Sequence, residues 1–193
     1  MSLIAYTIDR KRSRKYTYIT IQRDGSVLVK TNFFTSKHTI EKFIIQKTSW
    51  IQQKQSAIQD ALNEEKTKLF ILGQTYDKDI LSGINIDIFY KNKAIEIIPP
   101  LVSLWSKKMS LYPTHIGFRK NKSRWGSCSS KDRITFNTQL IKTPIEFIEY
   151  VVVHELAHIE HKNHSKSFWN LVKKYLPEYK QRQDMIKNQH FLL

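Results

Sequence analysis

Val151-Val152-Val153-His154-Glu155-Leu156-Ala157-His158-Ile159-Glu160-His161-Lys162-Asn163-His164 decides how this chain is read. With Ile145 and Ile148 upstream, its apolar residues run almost all round a helix, so the helix predicted over Pro144–His161 should be buried. At about 100° per residue, His154 and His158 fall roughly 40° apart on one face, one turn from each other. Two imidazoles so placed suit a single Zn²⁺, at about 2.0–2.1 Å each. Glu155 lies about 100° round the helix, within reach of a water on that ion but not placed as its next ligand. His-Glu-x-x-His is thus the division of labour in metal-assisted hydrolysis: two His bind and the Glu takes the water's proton. In a chain with 7 His, the bare motif arises by chance in about one sequence per hundred, so its context must decide. Two histidines and a carboxylate in a buried helix need partners, because unpaired polar burial costs several kcal/mol. One ion satisfies all three, whereas a hydrogen-bonded patch at a helix end would suit one of them.

A third ligand has to come from beyond the motif. His161 lies about 20° from His154 on the same face but about 10.5 Å along the axis, too far for one straight helix to share an ion. His164 can return to the metal if the helix stops first. Asn163 is the expected stop, since Asn tolerates the left-handed conformation at a helix end, and Ser165 reads as the N-cap of the next helix. His161 is then expected on the surface or behind the ligands. Glu178, about twenty residues downstream, is a rival carboxylate ligand; an acid in the first turn after Pro177 is the preferred reading. Three protein ligands leave a coordination position open, as a catalytic site does.

Outward from this stretch, Ser165–Leu176 and Pro177–Asn188 read as two further helices. Ile116–Arg119 and Arg133–Asn137 read as strands flanking Arg124-Trp125-Gly126-Ser127-Cys128-Ser129-Ser130. From Asn92 a helix kinked at Pro99-Pro100 is expected, with a strand followed by a Pro-started helix as the rival. Leu3–Ile8, Tyr16–Ile21, Val27–Thr31, Leu69–Leu72 and Ile84–Tyr90 read as strands, and one long helix starts at Ser36 and runs to Leu62. The fold class is α+β: a small antiparallel β layer with a long helix over residues 1–91, and a mainly helical portion over 92–193. The two are expected to form one continuous unit.

The net charge of +15 favours anionic company, either nucleic acid or nucleotides or an anionic membrane surface. Its densest run, Arg10-Lys11-Arg12-Ser13-Arg14-Lys15, is read first as a solvated hairpin loop and second as an anion site. Met1-Ser2-Leu3-Ile4-Ala5 lacks the pattern of a signal peptide, and no apolar run reaches the roughly 18 residues that span a bilayer. With Cys128 as its single cysteine, the chain is expected to be cytoplasmic.

Arg124-Trp125-Gly126-Ser127-Cys128-Ser129, Ile134-Thr135-Phe136-Asn137, Tyr150–His158, Asn163-His164-Ser165 and Phe168-Trp169 together resemble the YgjP-like metallopeptidase-domain family, related to the SprT-like group. The match is ordered from about Ile116 to Tyr179 and looser in the N-terminal half. The resemblance implies a zincin-like fold, zinc on His154, His158 and His164, and a catalytic Glu155. The spacing from His158 to His164 equals that of metzincins, but His161 stands at their Gly position and no Met-turn follows.

In the Arg124–Ser129 loop, Arg124 is a candidate to clamp an anionic substrate group or a developing oxyanion. A tight Gly turn pinned by Trp125 against the metal helix is an equal reading. Cys128 is read as a small buried thiol rather than a nucleophile. Three functions follow. A metallopeptidase acting on peptides comes first. The second is a phosphoanhydride hydrolase acting on nucleoside triphosphates, with Arg124, Lys122 and Lys120 on the phosphates. A nucleic-acid-associated protein with a structural metal is third.

Overall fold

The computed structural model of the chain describes residues 4–186 and splits the helix expected from Ser36 in two, α1 (Lys37–Gln46) and α2 (Thr48–Thr67). The Ile44 carbonyl accounts for the break: it accepts from the Lys47 N–H and from the Thr48 hydroxyl. A short i→i+3 bond and a back-bonded Thr both close a helix. Ser36 caps α1 as expected, its side chain accepting from the Thr39 N–H.

With these helices goes a three-stranded sheet of β1 (Tyr6–Arg10), β2 (Tyr18–Ile21) and β3 (Val27–Thr31), in the order β1-β3-β2. Val27 and Val29 point to one face and share a buried cluster with Ile40, Ile44 and Ile51. Gly25, with φ of 81°, makes the tight β2–β3 turn. Strand β1 takes the other edge of β3, where it pairs parallel. The sheet is therefore mixed, not antiparallel, and the run Arg10–Lys15 crosses one end of β3 instead of closing a hairpin.

This first unit ends at Lys66, and a second begins at Thr67. Strands β4 (Lys68–Ile71) and β5 (Gln74–Asp77) belong to the later unit because their Leu72-Gly73 turn donates both N–H groups to the Ile141 and Lys142 carbonyls. Gly73 is needed there twice over. Its φ is 80°, and an added Cβ would meet Pro144 Cγ at 3.0 Å.

Helix α3 spans Ile86–Met109, so the strand expected over Ile84–Tyr90 and the helix start near Asn92 are both corrected. The Asn85 side chain accepts from the Asp87 and Ile88 N–H groups and starts the helix. Tyr90, Ala94, Ile98, Val102, Trp105 and Met109 then line its buried face at helical spacing. Pro99 and Pro100 sit inside it. The carbonyls they leave without a helical donor belong to Ile95 and Glu96, both exposed residues on the side of the helix away from the core.

A second mixed sheet, ordered β6-β8-β7, joins β6 (His115–Arg119), β7 (Gly126–Cys128) and β8 (Arg133–Asn137); β6 pairs parallel and β7 antiparallel to β8. A 3-10 turn over Thr138–Lys142 leads to α4 (Ile145–Glu160), followed by α5 (Lys166–Tyr175) and α6 (Tyr179–Asp184). Ile98, Ile134, Phe136, Ile148, Val152, Leu156 and Phe168 form one fully buried core between these elements. The unit is an α+β layer whose core wraps α4. Leu3 of the first expected strand and Lys187–Asn188 of the last expected helix lie outside the described residues. Among the described residues no helix is long and apolar enough to cross a membrane.

Candidate metal centre

The sequence from Phe147 to Ala157 is buried almost without interruption, so α4 carries its polar residues into the core. His154 and His158 emerge on one face, one turn apart. The chain then leaves the helix at His161, whose extended conformation (φ −122°, ψ 101°) ends α4 two residues before the stop expected at Asn163. Asn163 contributes differently: its side chain accepts from the Ser165 N–H, and Ser165 caps α5 by accepting from Phe168. The reversal brings His164 back, with its Nε2 3.0 Å from His154 Nε2. One nitrogen from each of the three rings lies within 4.8 Å of the other two. Nitrogens on one tetrahedral zinc stand roughly 3.4 Å apart, so small side-chain rotations suffice.

The surroundings prepare the rings for a cation. Burial, then the neighbouring His158 and His164, pushes His154 down to about 3, so it is neutral at ordinary pH. Burial also lowers His158. His158 Nδ1 donates to the His161 carbonyl at 2.9 Å, which leaves Nε2 as the lone-pair nitrogen. His161 therefore stands behind the three imidazoles through its backbone, while its side chain turns to Glu160. His154 Nδ1 contacts the Tyr150 hydroxyl at 3.3 Å, and that oxygen accepts from Gln183 at 2.5 Å. Phe168, fully buried, lies 4.5–4.9 Å from all three rings, centroid to centroid, and Trp169 stacks on His164. Three imidazoles converging on an apolar floor are a donor set suited to a divalent metal.

Glu155 is 5% exposed, and its Oε2 has no hydrogen-bond partner among the described residues. Burial raises its pKa to about 8, against the opposing pull of Arg124. A buried carboxylate without a partner costs stability unless a cation or a reacting group answers it. Gly126 fits against it. A Cβ there would lie 2.6–2.8 Å from Glu155 Oε1, Cγ and Cδ, and no left-handed backbone explains the glycine. Its place is set by the approach of the carboxylate alone. Within the Arg124–Ser129 stretch, Gly126–Cys128 forms strand β7 and not the tight Gly turn considered above. Trp125 does pin it to α4, edge-on to Phe147 at 5.6 Å.

These residues line an open cleft of about 480 Å³ with Arg124, Cys128, Tyr150 and Lys162, room enough for part of a peptide or a nucleotide. Arg124 is exposed on its rim, and its carbonyl accepts from the buried Asn137 side chain. Burial pushes the Cys128 thiol up, which favours the protonated form over a nucleophilic thiolate. Glu178 stands outside the cluster, its carboxylate paired at 2.7 Å with Arg182, which also binds Glu149 of α4. Tyr150, Gln183 and the His161 carbonyl were not singled out from sequence, and Gly126 was read as a turn glycine rather than as a neighbour of Glu155. Of these only Tyr150 carried a signal, standing four residues before His154 on the same helical face.

Tyr150→Phe removes one partner of His154 and should weaken metal binding about tenfold in chelator competition. Unchanged affinity would show that the hydroxyl does not orient the ring.

Comparison with known proteins now has a geometry to meet. The chain is 31% identical over 94 residues to a "UTP pyrophosphatase" of Escherichia coli (strain K12), an alignment covering 47% of this chain and 56% of that protein. The chain thus spans little more than half the length of that relative. Crystal structures of two metallopeptidase zymogens are similar to it. Pyrococcus abyssi abylysin is 26% identical with a TM-score of 0.44, covering 50% of this chain and all of that one. Methanocaldococcus jannaschii jannalysin is 23% identical with a TM-score of 0.42, covering 46% and 92%. The family model for the YgjP-like metallopeptidase domain matches residues 15–86 and 83–189, nearly the whole length, and the chain belongs to that family.

Proposed function

We propose that the chain is a zinc-dependent hydrolase, with His154, His158 and His164 as ligands and Glu155 as the general base. The convergence of three imidazoles beside the buried Glu155, whose Oε2 has no hydrogen-bond partner among the described residues, carries this reading. Zinc held there would supply Lewis acidity, polarising the scissile bond's oxygen and lowering the pKa of water towards about 7. Glu155 accepts the proton of the attacking water on its carboxylate and returns it to the leaving group. Gly126 lets that carboxylate stand where it does, and Phe168 keeps the floor of the site dry.

A peptide is the substrate class we favour. Strand β7 is an edge strand along the cleft. The Trp125 carbonyl and the Ser129 N–H bond to β8, so in antiparallel alternation the main-chain groups of Gly126 and Cys128 point to the free edge. An extended peptide can pair there as an added strand. A second reading, phosphoanhydride hydrolysis, is favoured by the relative named UTP pyrophosphatase and by Arg124 and Lys162 on the cleft wall.

Metal analysis of the purified chain, followed by a screen of the same preparation against peptides and nucleoside triphosphates, tests both. A protein without a bound divalent metal that hydrolyses neither would end the proposal. Arg124→Gln separates the substrates. For a nucleotide it should raise KM about tenfold by removing a charged phosphate contact, and for a neutral peptide it should leave KM within about twofold. Equal KM changes for both would take Arg124 out of phosphate recognition.

A further inference from the structure

The basic run Arg10–Lys15 is far from Asn32–Ser36 in sequence, yet the fold knits the two into one surface at the end of the first unit's sheet. Asn32 Nδ2 donates to the Arg12 and Arg14 carbonyls at 3.2 and 2.8 Å. Arg10 donates to the Phe33 and Thr35 carbonyls at 2.9 and 2.7 Å. Arg14 is drawn inward to Asp9. Two of the arginines therefore build the surface, while Lys11, Arg12 and Lys15 stand exposed on it.

Four exposed aromatic rings lie in or beside these segments, in two edge-on pairs: Tyr16 with Tyr18 at 6.5 Å and Phe33 with Phe34 at 5.5 Å between ring centres. Tyr16, Tyr18, Phe33 and Phe34 are 68%, 52%, 51% and 79% exposed. The Arg12 guanidinium lies 5.6 Å from the Phe33 ring centre. Neither Lys11–Thr17 nor Asn32–Ser36 contains an acidic residue or an aliphatic Leu, Ile, Val or Met. Leaving four large rings in water is costly for a surface with no partner.

We propose that this surface binds single-stranded nucleic acid, with Tyr16, Tyr18, Phe33 and Phe34 offering faces to bases and Lys11, Arg12 and Lys15 meeting phosphates. The charge is complementary to a phosphate backbone, and the exposed rings offer faces on which unpaired bases stack. A duplex hides its base faces in its own stack, so only an unpaired strand can use exposed rings. An interfacial membrane anchor is an amphipathic helix, whereas these rings lie on turns and on β2. The inference is independent of the metal centre, which lies wholly in the second unit.

Fluorescence anisotropy of a labelled oligothymidylate, about 12 nucleotides long, tests it on the full chain. Three phosphate contacts should give log K against log[salt] a slope of about −2. Tyr16→Ala/Phe34→Ala should weaken binding roughly a hundredfold at one salt concentration and leave that slope unchanged. Arg12→Gln/Lys15→Gln should flatten the slope to about −0.7. Lys173→Gln/Lys174→Gln removes the same charge from α5 and should alter neither quantity. Circular dichroism confirms that each variant is folded.

The proposal fails if the aromatic pair has no effect, if the α5 pair costs as much as Arg12→Gln/Lys15→Gln, or if a duplex of the same length binds equally well. It also fails if phosphatidylserine vesicles, but not the oligonucleotide, bind in a way that needs Tyr16 and Phe34. That result would assign the surface to a membrane.

Discussion

Glu155→Gln is expected to purify with its full metal content and to turn over roughly a thousandfold more slowly than the parent chain. The amide has the carboxylate's shape, so it fills the same space against Gly126 and leaves the packing of α4 intact. Metal content should hold because the three imidazoles, not Glu155, form the converging donor set. What the amide cannot do is accept a proton. Elemental analysis and steady-state rates on one preparation read the two effects separately. Undiminished turnover would remove Glu155 from the mechanism, and loss of the metal would recast it as a ligand.

Gly126→Ala should lower kcat about a hundredfold with the metal retained. The added methyl would lie 2.6–2.8 Å from three atoms of Glu155, well inside ordinary contact. Strand β7 is held to β8 on one side and pinned by Trp125 to α4, so much of the adjustment falls on the carboxylate. A displacement approaching 1 Å at a reacting group costs on the order of a hundredfold. A purely structural glycine would show itself as a lower Tm at unchanged kcat. The double variant Gly126→Ala/Glu155→Gln sharpens the test: it should be no slower than Glu155→Gln alone, because both changes disable one group. A further hundredfold loss in the double variant would show that Gly126 acts elsewhere.

The features legible in the sequence were those that depend on a single helix. The pairing of His154 with His158, the burial of α4 and the Ser165 cap all follow from spacing along a few turns. The destination of His164 was legible too, but its route was not: the chain leaves α4 at His161 in extended form, and Asn163 serves as an acceptor rather than a left-handed stop. Main-chain roles leave no trace in residue type, which is why the His161 carbonyl behind His158 went unread. Gly126 was read as a turn glycine because its actual meaning lies in the approach of α4, some thirty residues away. In Ile84–Tyr90 a β-rich composition pointed to a strand, yet the Asn85 cap and the four-residue spacing of Tyr90, Ala94 and Ile98 prevailed. The parallel placement of β1 was invisible because nothing local distinguishes it from a hairpin partner.

Asn137, fully buried at the end of β8, gives its side chain to the Asn121 and Arg124 carbonyls and to the Asn121 and Gln139 N–H groups, while its own N–H goes to Trp125. One residue thus staples the cleft's wall to the core strand and to the turn that leads into α4. The wall has no separate melting point of its own. Its amides should exchange with solvent only when the end of β8 opens, so the mobility of Arg124's main chain is governed from inside the fold rather than from its exposed edge.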